Sequence, residues 1–493
     1  MDAARQRLAP VLRLAACAAA ALLAGCGSSG HEPPNGGPTL RLALPLLPQT
    51  LDPALAADLP SVNIAHELYA GLTRFSGTGV VPDLADSWGV SQNGLVWTFH
   101  LRKGIRWSDG RPITAHDFRD SWRRALSPAL HSGYARAEMQ NIRGARRYRA
   151  TGRGGIGVQA LDDRTLRVTL QHPVPWLDQQ VAYPVFFPVR RSAFSGPFRL
   201  ESRSPAGLTL ARNDSYWNAA AVNPRRVVLG TSMRGVDAVL PRGVAAPGFP
   251  WVQTTAARTG PALDTLSVEL LWFVTRGTQL ADAGKRRYLA WLMTDLDLGS
   301  GLVSLIPKSI PGASIVNSHR QVDIPTTTQP LRLTLAYTTE DAQAVRIVAA
   351  LRRARAQLER FNIELSPKAV PTLRGLVALA GPPARPGIDL VLLGWSSEFF
   401  DAYNILDLFP CASALNVARW CDRSYDRLMH RAVRTLDDRK RWLIERRLVE
   451  KLHEEVPATP LAWPVDHFSL RRGVHGFSWS PIGIYELSGL TRS

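Results

Sequence analysis

The thiol of Cys26 closes the run Leu23-Ala24-Gly25-Cys26, whose small residues admit a peptidase and whose sulfur can accept a lipid. Arg5, Arg7 and Arg13 precede it, followed by an apolar run from Leu14 to Leu23. Helix over that run rises about 15 Å, half of the about 30 Å that a bilayer core demands. It therefore reads as the apolar region of a signal peptide. The run resembles the bacterial lipobox, so residues 1–25 are expected to be cleaved and Cys26 to carry diacylglycerol. Residues 26–39, rich in Gly, Ser and Pro, read as a flexible tether. Export governs the other thiols too. Cys17 leaves with the signal, so Cys411 and Cys421 remain as a pair expected to form a disulfide. A metal reading of that pair needs more ligands at suitable spacing, and none are nearby.

Other chemistry-bearing patterns reject themselves. Gly152-Arg153-Gly154-Gly155-Ile156-Gly157 matches G-x-G-x-x-G, yet it follows a basic stretch and precedes a strand-like one. Dinucleotide binding needs strand, turn and helix N-terminus in that order, so the run is expected to be a loop. His453-Glu454-Glu455 lacks the second histidine of a zinc helix, and the 11 histidines are scattered. The Arg143–Arg153 stretch lacks the aromatic interleaving of a single-strand binder. It reads as a solvated loop that can lie against anionic lipid, and no nucleic-acid partner is expected. Asn213-Asp214-Ser215 fits a glycosylation sequon, which carries little weight behind a bacterial lipobox. No enzyme, cofactor or metal centre is expected.

The chain that must position these groups has 493 residues, 45% hydrophobic and 20% charged, which excludes a disordered chain. Its length fits about three domain-sized units or fewer large ones. The 59 basic residues exceed the 41 acidic ones for a formal charge of +18. Loss of the signal, with three Arg and one Asp, leaves about +16. Only six basic residues are lysine. Such a balance attracts polyanions, whether lipid headgroups, cell-wall polymers or nucleic acid, without choosing among them. No later stretch is apolar for 18 residues, so the body is not expected to span a membrane.

Strand and helix signals interleave. Leu40–Leu44 and Trp97–Leu101 alternate like strands, with further strands expected at Leu166–Leu170, Leu208–Arg212, Leu331–Tyr337 and Asp389–Leu393. Helices are expected over Val62–Leu72, from Ala115 behind a Thr114 cap, over Asp341–Phe361 and over Asp437–Glu455. This is a mixed α/β chain without internal repeats.

Several runs then carry a family likeness. Leu51-Asp52-Pro53 opens it, followed by Asn63-Ile64-Ala65-His66-Glu67-Leu68-Tyr69-Ala70-Gly71-Leu72 and Val81-Pro82-Asp83-Leu84-Ala85-Asp86-Ser87-Trp88. The most specific run is Trp107-Ser108-Asp109-Gly110-Arg111-Pro112-Ile113-Thr114-Ala115-His116-Asp117-Phe118. Gly196-Pro197-Phe198, Asn213-Asp214-Ser215-Tyr216-Trp217, Gly394-Trp395 and Asp422-Arg423-Ser424-Tyr425-Asp426 follow in order. Together they resemble the family 5 extracellular solute-binding proteins of peptide-type ABC transporters, from about Leu40 to the C-terminus. The resemblance implies a bilobed α/β fold, periplasmic-binding-protein type II-like, with an extra subdomain inserted in lobe one. Lobe one would comprise residues 40–72, 188–266 and 463–493, the insertion 73–187, and lobe two 267–462. Most such motifs fix the fold, so Trp107 and Asp109 are expected to be structural, a strand end and a turn.

The resemblance also implies a site. Peptide-binding relatives hold the ligand's α-amine with an acidic residue three positions after the Trp of a Gly-Trp motif, which here is Glu398 in Gly394-Trp395-Ser396-Ser397-Glu398. Relatives most often have Asp there, so the anchor is one methylene longer. Asp401 is a fallback anchor in the same loop, Trp395 is expected to line the cleft, and Tyr134 completes the candidate ligand set. Leu392 stands where oligopeptide binders carry a basic residue. The start of lobe two, Phe273-Val274-Thr275-Arg276-Gly277 then Lys285-Arg286-Arg287-Tyr288-Leu289, is a blurred form of the family pattern, and Ser314–Gln329 lacks the usual Ala- and Leu-rich helix.

The expected function is a monomeric, lipid-anchored extracytoplasmic protein that captures peptides between two lobes and delivers them to an ABC transporter permease. It would sit on the outer face of the cytoplasmic membrane or in the periplasm. The rivals are a binding-protein fold turned envelope regulator, and a binder of another solute such as a metal chelate, a sugar or an opine-like compound.

Overall fold

The computed structural model describes residues 37–241, 262–295, 304–310, 330–380, 387–413 and 415–493. The signal sequence, Cys26, nearly all of the tether and Ser314–Gln329 lie outside the described residues.

Three sheets organise the chain. The first runs Ser469–Leu470, Ala238–Val239, Thr39–Ala43, Arg226–Gly230, Gly207–Arg212, Phe198–Ser204. Its central strand alternates as its sequence does: Leu40 and Leu42 are buried while Arg41 is exposed. That strand pairs in parallel with Arg226–Gly230, setting Leu40 against Val227 and Leu42 against Leu229.

The second sheet is antiparallel, in the order Ala85–Val90, Val96–Leu101, Thr165–Thr169, Val158–Ala160. Helix Ala115–Ala125 lies on it and buries Phe118 and Trp122. Its start is fixed by Asp117, whose Oδ2 accepts from the Thr114 backbone N–H at 2.8 Å.

The third sheet runs Ile363–Val370, Leu331–Thr338, Leu390–Leu392, Ser267–Phe273, Trp395–Ser396, with Ala458–Ala462 also paired to Ser267–Phe273. Every residue of Ser267–Phe273 is buried, as a strand covered on both faces requires. Helices Ala342–Arg353, Arg423–Ala432 and Asp438–Glu455 pack around this half. No helix among the described residues is long and apolar enough to cross a membrane.

The sequence motifs act as fasteners. Asn63 Nδ2 donates to the Gly483 carbonyl at 3.1 Å, its Oδ1 accepts from Tyr485 N at 3.0 Å, and Glu67 Oε1 accepts from Leu487 N at 2.8 Å. One helix thereby holds the C-terminal tail. Asp83 Oδ1 accepts from Trp217 Nε1 at 2.7 Å, joining two motifs more than a hundred residues apart. Asn213 is buried and donates to the Gly196 carbonyl at 2.8 Å, which removes it as a glycan acceptor. Trp107 is fully buried, and Asp109 Oδ1 accepts from Arg111 N at 3.1 Å in an exposed turn, with Gly110 at φ +85°. Both are structural.

Three element expectations are corrected. The helix expected over Val62–Leu72 is Leu59–Leu68, because Asp58 accepts from Ser61 N and Pro60 starts the first turn, while Tyr69 is already extended. The single helix expected over Asp341–Phe361 is two, Ala342–Arg353 and Arg355–Arg360, parted at Ala354 where ψ is 7°. The Arg143–Arg153 loop contains a helix, Ala145–Thr151, seated by buried Ala145 and Tyr148. The glycine run after it is a loop leading into strand Val158–Ala160, as expected.

Candidate functional site

The Gly-Trp loop is built on the edge of the third sheet. Trp395 and Ser396 pair antiparallel with Val268 and Ser267, Ser267 Oγ lies 2.8 Å from Ser396 Oγ, and Ser397 N donates to the Leu266 carbonyl at 2.9 Å. The glycine is required by close approach: a Cβ on Gly394 would stand 2.5 Å from Glu269 Oε1 and 2.8 Å from Glu269 Cδ. Trp395 is half-buried, and its Nε1 donates to Asn404 Oδ1 at 2.7 Å. That bond ties the strand to helix Tyr403–Leu406.

Beyond Trp395 the loop seats on the segment Trp176–Tyr183. Trp176 stacks on Phe399 at 4.9 Å between centroids and lies 4.4 Å from the Tyr403 ring. Tyr183 donates its hydroxyl to the Glu398 carbonyl at 2.5 Å, and Phe400 N donates to Gln179 Oε1 at 2.7 Å.

These contacts bring the Glu398 carboxyl beside Glu138, close enough for its charge to act on it, while Gln180 Nε2 donates to Glu138 Oε2 at 3.5 Å. Glu138 ends helix Gly133–Glu138, whose N-cap Ser132 accepts from Ala135 N. Tyr134 lies one turn earlier on the same helix, its ring 6.3 Å from that of Tyr183. Burial pushes both carboxyls above the usual range, and the Glu398 charge raises Glu138 further. The Tyr134 and Tyr183 hydroxyls are held protonated by burial and by the two acids. Two carboxyls sharing one site keep one proton between them or admit one cation. Glu398 and Tyr134, singled out in the sequence, thus fall together, whereas Trp395, also singled out, bonds Asn404 on the sheet side of the same loop. Glu138 and Tyr183 were not singled out; the four-residue spacing of Tyr134 and Glu138 was the available signal.

Asp401 is corrected as an anchor. It is buried, and its Oδ2 accepts from Arg441 Nη2 at 2.7 Å and from Arg441 Nε at 3.0 Å. Glu445 Oε1 stands 3.6 Å from the same Nε, beyond hydrogen-bond distance. Burial and the Asp401 charge push the Glu445 carboxyl up to about 9. The Asp401 carboxylate is thus spent on helix Asp438–Glu455 and is not offered to a ligand.

Glu269, behind Gly394, is a second acid the sequence did not reveal. It is buried, its Oε2 has no hydrogen-bond partner, and burial, with the Asp341 charge, pushes it up to about 8. Cys411 and Cys421 are joined as a disulfide with their Cα atoms 4.5 Å apart. A concavity of about 410 Å³, lined by Leu47, Pro48, Arg203, Ser204, Pro205 and Leu208, includes none of the candidate residues. No group of three or more His, Cys, Asp or Glu side chains that could hold a metal occurs among the described residues.

Comparison with known proteins follows the same lines. Residues 79–261 match the model for the bacterial extracellular solute-binding proteins, family 5 middle region. The chain is 27% identical over 479 residues to the probable deoxycholate-binding periplasmic protein YgiS of Escherichia coli, covering 84% of this chain and 86% of that one. It is 30% identical over 224 residues to the oligopeptide-binding protein OppA of Bacillus subtilis, a match spanning 41% of each. The unliganded open form of the murein tripeptide-binding protein MppA superposes with a TM-score of 0.73 at 20% identity, covering 93% of this chain and 99% of that one. That likeness carries the bilobed type II-like fold.

Proposed function

We propose that this chain, which belongs to the family 5 bacterial extracellular solute-binding proteins, captures peptides by their amino terminus and hands them to an ABC transporter permease. The observation that carries the reading is the seating of the Glu398 loop on Tyr183, whose ring neighbours Tyr134, one turn before Glu138 on the same helix. An α-ammonium between two half-buried carboxyls replaces the shared proton and makes charge-assisted hydrogen bonds to both. The names of relatives agree, since OppA binds oligopeptides and MppA a murein tripeptide. YgiS is named for deoxycholate, an anion that two facing carboxyls would repel.

In this reading Tyr134, Tyr183 and Trp395 wall the amine pocket, and residues 267–462 form a lobe that moves against the rest, with 73–187 as the insertion. Ligand favours the approached state only through its differential affinity. Cys26 lipidation would hold the protein outside the cytoplasmic membrane as a monomer.

Thermal unfolding with pooled peptides of two to six residues tests this. Ligand at 100 times its dissociation constant adds about 2.7 kcal/mol of stability. The expected result is a shift lost on N-acetylation of the peptides and lost in Glu398→Gln. A shift that survives both changes would remove the amine from the mechanism.

A further inference from the structure

Helix Ala145–Thr151 and its flanks gather arginine on one surface. Arg143, Arg146, Arg147 and Arg153 are exposed and Arg149 is half-buried. Among the described residues none of the five lies within ion-pair distance of an acid, although exposed arginines elsewhere do, such as Arg226 with Glu201 and Arg355 with Glu359. The backbone beneath them is firmly held. Arg143 N donates to the Thr169 carbonyl at 2.9 Å, and Gly157 N donates to the Arg143 carbonyl at 2.7 Å, so the two ends of the segment meet. Gly144 packs against Gly155 so closely that a Cβ would stand 2.4 Å from the Gly155 oxygen. Thr151 Oγ1 donates to the Arg147 carbonyl at 2.8 Å and accepts from Arg153 N at 3.1 Å. The glycine run thus folds back along the helix, with Arg147 Nε near Gly154. Arg123 holds the helix from its inner side, its guanidinium 4.5 Å over the ring of buried Tyr148.

We propose that this arginine face docks on an anionic phospholipid surface. Guanidinium groups form forked hydrogen bonds with phosphate that ammonium groups do not, and five without an acidic partner, of which Arg146 donates to Gln140 Oε1 at 3.3 Å, keep their charge available on a held segment. Reach agrees with that occupant. The described chain starts at Gly37, eleven residues after Cys26, and that length spans up to about 40 Å when extended. A body on such a leash samples the headgroup layer continually, within the roughly 10 Å over which surface potential acts. The reach argument rests on the lipoprotein reading; the charge argument does not.

The test uses the chain from Gly27, which contains every described element and carries no lipid, so failure of the anchor reading cannot imitate failure of this one. Sedimentation with phosphatidylglycerol–phosphatidylcholine vesicles is expected to show binding that weakens with added salt, and pure phosphatidylcholine vesicles none. Arg146→Gln/Arg147→Gln/Arg153→Gln is expected to weaken binding on the order of 100-fold, at about 1 kcal/mol per arginine. The exposed helix arginines Arg352, Arg353 and Arg360, changed together to Gln, control for net charge and are expected to cost under threefold. Equal losses in the two variants, or no binding to anionic vesicles, would overturn the assignment. Binding by an acidic permease segment with none to vesicles would do the same.

Discussion

The carboxyl groups of Glu138 and Glu398, from helix Gly133–Glu138 and from the loop after Trp395, stand close enough that the charge of Glu398 raises the Glu138 carboxyl. Burial favours their protonated form, so the folded chain keeps a proton that an unfolded glutamate loses near pH 4.5. A folded state that binds more protons loses stability as pH rises above the unfolded value. Glu138→Gln keeps the shape, supplies a donor to Glu398 and removes the repulsion. Its unliganded Tm is expected to exceed the parent's by roughly 2–4 °C per kcal/mol gained at pH 7–8 and to match it at pH 4. Parallel Tm–pH curves for the two proteins would deny the shared proton. The same variant should bind peptides more weakly, because one of the two ammonium acceptors has become neutral.

Asp401 and Arg441 make the opposite kind of prediction. Their pair is buried on both sides, with side-chain exposures of 6% each. Asp401→Asn should destabilise by about 1–3 kcal/mol, since it removes the buried charge facing Arg441 while Asp438 Oδ1, at 2.7 Å, and Glu445 remain beside the guanidinium. Peptide affinity of the folded protein should be unchanged. Chemical denaturation and calorimetric titration separate the two effects. Lost affinity at parental stability would return Asp401 to the ligand.

Much of this was legible in the sequence. The alternation of Leu40 and Leu42, the Thr114–Asp117 helix start and the Gly394-Trp395 run are local patterns, and local patterns survive translation into structure. Glu138, Tyr183 and Arg441 are brought to the loop by packing between segments more than 30 residues away, for which spacing gives no sign. The same limit misassigned Asp401: a loop acid looks like a ligand anchor until its buried arginine is found. Arg143–Arg153 was misread for a different reason, since the glycines at both ends hide a short helix fixed by Ala145 and Tyr148.

Glu269 should impose a pH dependence of its own. Its carboxyl is pushed up to about 8 against an ordinary 4.5, so its contribution to stability is present below about pH 4.5 and is lost as pH rises toward 8. Glu269→Gln should flatten Tm over that window and leave the acid side unchanged. Gly394→Ala probes the contact from the other side. Its Cβ would strike Glu269 Oε1, and the cost of about 1–3 kcal/mol expected for overpacking should shrink when Glu269 is also changed to Ala. Additive losses would mean that the glycine answers to something other than Glu269.

The disulfide and Asn416 close the same loop by different means. Cys411 and Cys421 are 10 residues apart, a separation for which the chain-entropy account gives about 2–3 kcal/mol, acting on the unfolded chain. Asn416 Nδ2 donates to the carbonyls of Phe409, Pro410 and Trp420 at 2.9, 3.1 and 2.7 Å, which acts on the folded chain. Effects on different states add. Cys411→Ser/Cys421→Ser should therefore cost the same about 2–3 kcal/mol in the parent and in Asn416→Ala, measured by urea denaturation. If the disulfide instead held the folded loop in place, its removal would loosen the Asn416 bonds as well, and the combined loss would fall short of the sum.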